Sequence, residues 1–107
     1  MGFEDLSLEE QSTIYECVKA AVNGPFFPDW EFHSLFGLSR KEMAEIVKLW
    51  SSINLDSQDA QLAINGALNN LTGYPHPYFE VWQDYLPSDR HAVIALFEKW
   101  RATCRTI

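Results

Sequence analysis

Residues 68–77 constrain the fold most, because they end one predicted helix and begin the next. Gly73 can adopt the positive φ that closes a helix, and the two prolines that follow prevent a helix from continuing through the stretch. Two neighbouring amides, Asn69 and Asn70, precede this break, and a histidine follows it. The stretch is therefore a corner between two helices and also a candidate for a binding site.

The rest of the chain also has the pattern of helices separated by caps and breakers. Ser7 with Glu10, and Ser39 with Glu42, have the spacing of a capping box, in which each side chain bonds the other residue's backbone. Apolar residues then recur every three or four positions, and no alternating strand pattern occurs. The sequence predicts a single all-α domain over residues 1–107, a compact bundle of about six helices.

The caps and breakers of the two halves of the chain align when the sequence is shifted by 49 residues. Ser7 then matches Asp56, and the glycines and prolines that end the long helices also match. One interpretation is a pair of three-helix halves, residues 5–50 and 54–104, related by a pseudo-twofold axis. The other is that any chain of six helices has breakers at similar intervals.

Gly66 lies inside the apolar stripe of the predicted fourth helix, where glycine costs about 1 kcal/mol relative to alanine. Together with Ala63, Ala67 and Asn70 it forms a face of small side chains. We therefore expect another helix to pack closely against this face.

Fifteen Asp and Glu residues against eight Lys and Arg residues give the chain a net charge of −7. Nucleic-acid binding requires a basic face that replaces the counterions of phosphates, so this charge argues against nucleic acids and anionic membranes as partners. The apolar runs are too short to cross a bilayer, and the N-terminus is acidic rather than basic before an apolar stretch, so we expect a soluble chain without a secretory signal. Cys17 and Cys104 lie within helical patterns and form no CxxC pair, which favours buried thiols in the cytoplasm.

Polar residues near the predicted corners form one candidate ligand site. Asp29 and His33 are one helical turn apart and could hold a metal ion or a polarised imidazole, although two ligands do not make a metal site. The amides beside the later corner either bond a neighbouring loop or line a small-molecule pocket. The candidate ligand-binding residues are Asp29, His33, Asn69, Asn70, Tyr74 and His76.

Aromatic residues are concentrated in the two segments that follow the long helices. Such large rings are either core residues or a face that binds a protein partner. The candidate interface residues are Phe27, Trp30, Tyr78 and Trp82.

No sequence motif demands a particular chemistry, so we predict no catalytic residue, cofactor or structural metal. The best hypothesis is a small acidic, non-catalytic module for protein interaction or regulation, acting on a protein partner or as a homodimer. Two alternatives are a small-molecule or metal site, which could be enzymatic, and an acidic, immunity-like inhibitor of a basic protein.

Three sequence blocks resemble a small uncharacterised bacterial protein family. They are residues 26–38, residues 68–76 and the pair Trp100 and Arg101. The resemblance covers nearly the whole chain and implies a stand-alone bacterial cytosolic domain. It implies no activity and no site residues.

Overall fold

The computed structural model describes residues 3–73, 79–86 and 89–104. These residues form six α-helices and no strand, which confirms the predicted all-α class. None of the described helices is long and apolar enough to span a bilayer. The helices are α1 (Leu8–Asn23), α2 (Asp29–Phe36), α3 (Arg40–Lys48), α4 (Gln58–Gly73), α5 (Trp82–Tyr85) and α6 (Arg90–Cys104), with 3₁₀ turns at Phe3–Asp5, Trp50–Ser52 and Phe79–Val81.

The capping boxes predicted for α1 and α3 are both present. Ser7 Oγ accepts a hydrogen bond from the Glu10 amide at 3.1 Å, and Glu10 Oε1 accepts one from the Ser7 amide at 2.9 Å. The Ser39 and Glu42 bonds in α3 measure 3.1 and 2.8 Å. Each box satisfies backbone N–H groups that have no partner within the helix.

α4 ends at the predicted glycine, but its N-cap and the conformation of that glycine differ from the prediction. Ser57 caps the helix by accepting a bond from the Ala60 amide at 3.3 Å, whereas Asp56 accepts one from the distant Phe3 amide at 3.0 Å. Gly73 is the last residue of α4, and its φ is not positive. Among the described residues, Gly37 has the positive φ, 74°, where it ends α2.

The two halves of the chain match when Ser7 is aligned with Ser57, one position beyond the predicted match with Asp56. In this alignment Leu8 and Gln58 begin α1 and α4, while Arg40 and Arg90 begin α3 and α6. The start of α2 likewise falls on the start of the turn Phe79–Val81. The correction results from the cap of α4, because Ser57 and not Asp56 is the counterpart of Ser7. We call this the Ser7–Ser57 alignment.

Individual hydrogen bonds repeat in the same alignment. Gln11 Nε2 donates to the carbonyl five residues before it at 2.9 Å, and Gln61 Nε2 makes the same bond at 3.2 Å. Arg40 donates to the Val22 carbonyl at 2.6 Å, and Arg90 donates to the carbonyl of Thr72 at 3.0 Å. The match therefore extends from the helix positions to the bonds that connect them.

Packing follows the same pattern. α1 and α4 contact each other, α3 packs on α1 as α6 packs on α4, and α2 crosses α4 as α5 crosses α1. Several large buried side chains occupy matched positions in the two halves. The pairs are Ile14 and Ile64, Val18 and Leu68, Phe32 and Trp82, Phe36 and Leu86, and Met43 and Val93.

The face of small side chains on α4 is confirmed as a helix contact. Gly66 lies against the Phe36 ring of α2, so closely that a Cβ at this position would overlap the ring. Asn70 Nδ2 donates to the Leu35 carbonyl at 3.1 Å across the same crossing. The glycine that weakens α4 locally thus allows the aromatic side of α2 to enter the core.

Candidate functional site

Trp30, in the first turn of α2, is the exposed tryptophan of the described structure. Its side chain is 80% exposed, whereas Trp82 and Trp100 are 5% and 4% exposed and Trp50 is half-buried. Burying so large an apolar ring would stabilise the fold by about 2 kcal/mol. The exposed ring of Trp30 lacks this contribution. A single exposed apolar residue is common, but a tryptophan in this position needs comparison with its structural counterpart.

The matched position in the second half is Glu80, which is also exposed. The fold therefore accepts a charged residue at this point of the repeat. By contrast, the neighbouring core position is aromatic in both halves, with Phe32 and Trp82 buried. Trp30 is thus an aromatic residue that the fold itself does not require.

Trp30 lies on an exposed face that is formed by α2 and its C-cap. Four exposed residues recur at the spacing of one helical face: Trp30, His33, Ser34 and Gly37. The face continues onto α4, because a Cβ at Gly37 would lie 3.7 Å from the Leu62 side chain, which is itself 37% exposed. We call these five residues the α2 surface.

Arg40 holds the opposite side of α2 in place. Its guanidinium donates to the carbonyls of Val22 at 2.6 Å and Phe27 at 2.7 Å, and to Asp29 Oδ1 at 2.7 Å. It also lies over the Phe32 ring, 4.4 Å from the ring centre. One side chain therefore joins the end of α1, the loop that follows it, and the first turns of α2 and α3.

The predicted pair of Asp29 and His33 has a different arrangement from that of a metal site. Asp29 is committed to Arg40, while His33 is exposed on the α2 surface. No three His, Cys, Asp or Glu side chains in the described part of the chain are grouped so that they could hold a metal ion.

The two amides of the predicted cluster have different environments. Asn70 bonds the Leu35 carbonyl, in agreement with the expectation that such an amide bonds neighbouring backbone, and Asn69 is exposed. Tyr74 and His76, also predicted as ligand-binding residues, lie outside the described residues.

The four predicted interface residues are not equivalent. Phe27 is 3% exposed and Trp82 is 5% exposed, so both belong to the core and their burial removes them from the predicted interface. Tyr78 lies outside the described residues. Trp30 remains, and it is the exposed member among those that the structure describes.

The sequence analysis did not single out Arg40. A signal was present: a cap residue is followed by arginine at Ser39 and Arg40 and again at Asp89 and Arg90. Both cap residues accept the amide bond three positions later, at 3.1 Å and 2.8 Å. The repeated pair marks the arginine as part of the helix connection.

Two surface grooves lie away from the predicted site residues. A groove of about 330 Å³ separates α1 from α6, and one of about 290 Å³ separates α1 from α5. Lys99 and Glu10 form an ion pair at 2.7 Å in the first groove. Neither groove is lined by a residue of the α2 surface.

Cys17 is an unreactive thiol by environment. It is fully buried on α1, and this burial raises the pKa of the thiol to about 12. The reactive thiolate is therefore scarce at neutral pH, as expected for a cysteine that serves as a small apolar side chain.

Comparison with known protein families, with curated proteins and with solved structures gave no match. The resemblance of residues 26–38 and 68–76 to a bacterial family stays a prediction.

Proposed function

We propose that this chain is a small acidic, non-catalytic interaction module of the cytoplasm, which contacts a protein partner through the α2 surface. The observation that carries the proposal is Trp30, 80% exposed at a position where the matched half of the fold has Glu80. An aromatic residue that the fold does not need, kept in water on a helix held rigid by Arg40, is suited to serve as a contact residue.

The chemistry of Trp30 supports a protein as the partner. Tryptophan is among the residues that contribute most to binding energy in protein interfaces, where its large ring is enclosed by the partner. The net charge of −7 disfavours association of two copies of the chain, because each copy would repel the other. A partner other than a second copy therefore agrees best with the charge.

The test is capture of a partner by tagged protein from a native extract of the source cell, followed by mass spectrometry. Wild type is compared with Trp30→Ala and with Leu8→Ala. Leu8 is the matched control, because it is 83% exposed and lies at the start of α1. Circular dichroism of each variant confirms equal helix content before capture.

We expect wild type and the Leu8 variant to retain the same partner and the Trp30 variant to lose it. Equal capture by all three proteins would place the contact elsewhere and refute the role of the α2 surface. Sedimentation of purified wild type measures its mass in solution and so shows whether two copies of the chain associate.

A further inference from the structure

Cations lie over several aromatic rings of this fold. The Arg40 guanidinium is 4.4 Å from the centre of the Phe32 ring, and that of Arg101 is 5.3 Å from the centre of the Phe97 ring. None of the cations in the described residues lies over Trp30. Tryptophan has the strongest attraction for cations among aromatic side chains, so its open faces can accept a cation from outside.

The border of the α2 surface is negative. Two exposed carboxylates border it: Glu42 on α3, and Asp59, which is one helical turn before Leu62 on α4. The capping bonds with Ser39, and to a smaller extent the nearby His33, lower the pKa of the Glu42 carboxyl. The nearest cations in sequence are Lys41, which is exposed, and Arg40, whose guanidinium is paired with Asp29 and bonded to carbonyls at the end of α1. A cation that approaches Trp30 therefore meets an excess of carboxylates.

We infer that the partner is a basic protein segment that places an arginine or lysine side chain against Trp30. This inference rests on the proposed function and adds the chemical class of the partner. The ring supplies a face for the cation, and the bordering carboxylates attract the rest of the basic segment. Of the two cations, arginine fits better, because its planar group can stack on the indole while it bonds a carboxylate.

The direct test uses a blocked peptide of alternating arginine and glycine, and a second peptide in which citrulline replaces arginine. Citrulline keeps the planar shape and loses the charge. Binding is measured by calorimetry for wild type, Trp30→Ala and Leu8→Ala, and the Trp30 indole N–H signal is followed by NMR, assigned with Trp30→Phe.

We expect saturable binding of the arginine peptide, with a shift of the Trp30 indole signal and no binding of the citrulline peptide. Trp30→Ala should bind about three- to fivefold more weakly, the loss that corresponds to one exposed contact between a cation and a ring. Leu8→Ala should bind as wild type does. Unchanged affinity in Trp30→Ala would show attraction by net charge alone and would overturn the inference.

The two experiments separate the two claims. If Trp30→Ala loses the captured partner but wild type does not bind the arginine peptide, the α2 surface is a contact site and its partner is not cationic. If the peptide binds at Trp30 while no capture depends on Trp30, the preference for a cation holds and the proposed function fails.

Discussion

Gly66 is important for packing because it has no side chain. It lies directly under the ring of Phe36, which is 2% exposed and packed against the Phe27 ring at a centroid distance of 5.2 Å. The ring therefore has no space into which it can retreat. This contact offsets the low helix propensity of glycine in the middle of α4.

Gly66→Ala is expected to destabilise the protein by about 1–2 kcal/mol, because the cost of overpacking exceeds the gain in helix propensity. Gly73→Ala is the matched control on the same helix. Among the described residues, a Cβ there would meet only Asn69 Oδ1, at 3.9 Å, so this change should leave stability equal or raise it by up to about 1 kcal/mol. Urea denaturation measures both, and a Gly66 variant as stable as wild type would contradict the close approach.

Cys17 makes folding stability depend on alkaline pH. Burial raises its pKa from the ordinary 9.0 to about 12, so the thiol of the unfolded chain ionises first as pH rises. The neutral, buried thiol therefore contributes fully to the unfolding free energy below pH 9, and this contribution is lost between pH 9 and 12.

We predict that the unfolding free energy of wild type falls by about 1.4 kcal/mol per pH unit above pH 9, relative to that of Cys17→Ala. Denaturation of both proteins at about pH 8 and at about pH 10.5 tests this, because all other groups are common to the pair. Parallel pH profiles would mean that the thiol is hydrated in the folded chain.

At the scale of the helices, Arg40 is the main polar connection. Its side chain is 28% exposed and bonds carbonyls at the end of α1, where the helix leaves them without internal partners. The positive charge also lies at the negative end of the dipole of α1. Removing the side chain would leave several acceptors unpaired at once.

Arg40→Ala is therefore expected to cost about 2–3 kcal/mol of unfolding free energy. Arg40→Lys should recover only part of this loss, because an ammonium cannot reproduce the planar fork. Arg90→Ala is the matched control at the equivalent position of the second half, and because Arg90 is exposed the expected cost is about 1 kcal/mol or less. Urea denaturation of the three variants checks the order, and equal losses for Arg40→Ala and Arg90→Ala would contradict it.

The sequence predicted those elements whose signals are local. Each capping box lies within a single helical turn, and its bonds form as expected. The cap of α4 could not be assigned in this way, because Asp56 and Ser57 are both good caps. Asp56 instead accepts a hydrogen bond from the amide of Phe3, which is distant in sequence. The predicted match of Ser7 with Asp56 was wrong for the same reason.

The candidate site was less predictable for a similar reason. The concentration of aromatic residues made Phe27, Trp30, Tyr78 and Trp82 one candidate interface, but Phe27 and Trp82 are buried whereas Trp30 is exposed. Arg40, which fixes α2, bonds carbonyls that are 13 and 18 residues distant in sequence. Local patterns do not show which side of so short a helix will face the core.

For the whole molecule, the Ser7–Ser57 alignment distinguishes what the fold needs from what it tolerates. Matched positions that are buried in both halves have apolar side chains, such as Ile14 with Ile64. Matched positions that are exposed vary freely, as with Leu8 and Gln58. Trp30 with Glu80 belongs to the second group.

This equivalence predicts that Trp30→Glu, which copies the residue of the second half into the first, leaves the unfolding free energy within about 0.5 kcal/mol of wild type. Trp82→Glu is the opposite case, because it places a carboxylate in the core, where an unpaired charge is not tolerated. That variant should fail to fold at neutral pH, as measured by circular dichroism and urea denaturation.

A Trp30→Glu protein that is strongly destabilised would instead make Trp30 a structural residue. A stable Trp30→Glu protein that no longer retains the captured partner would locate the function of Trp30 in binding.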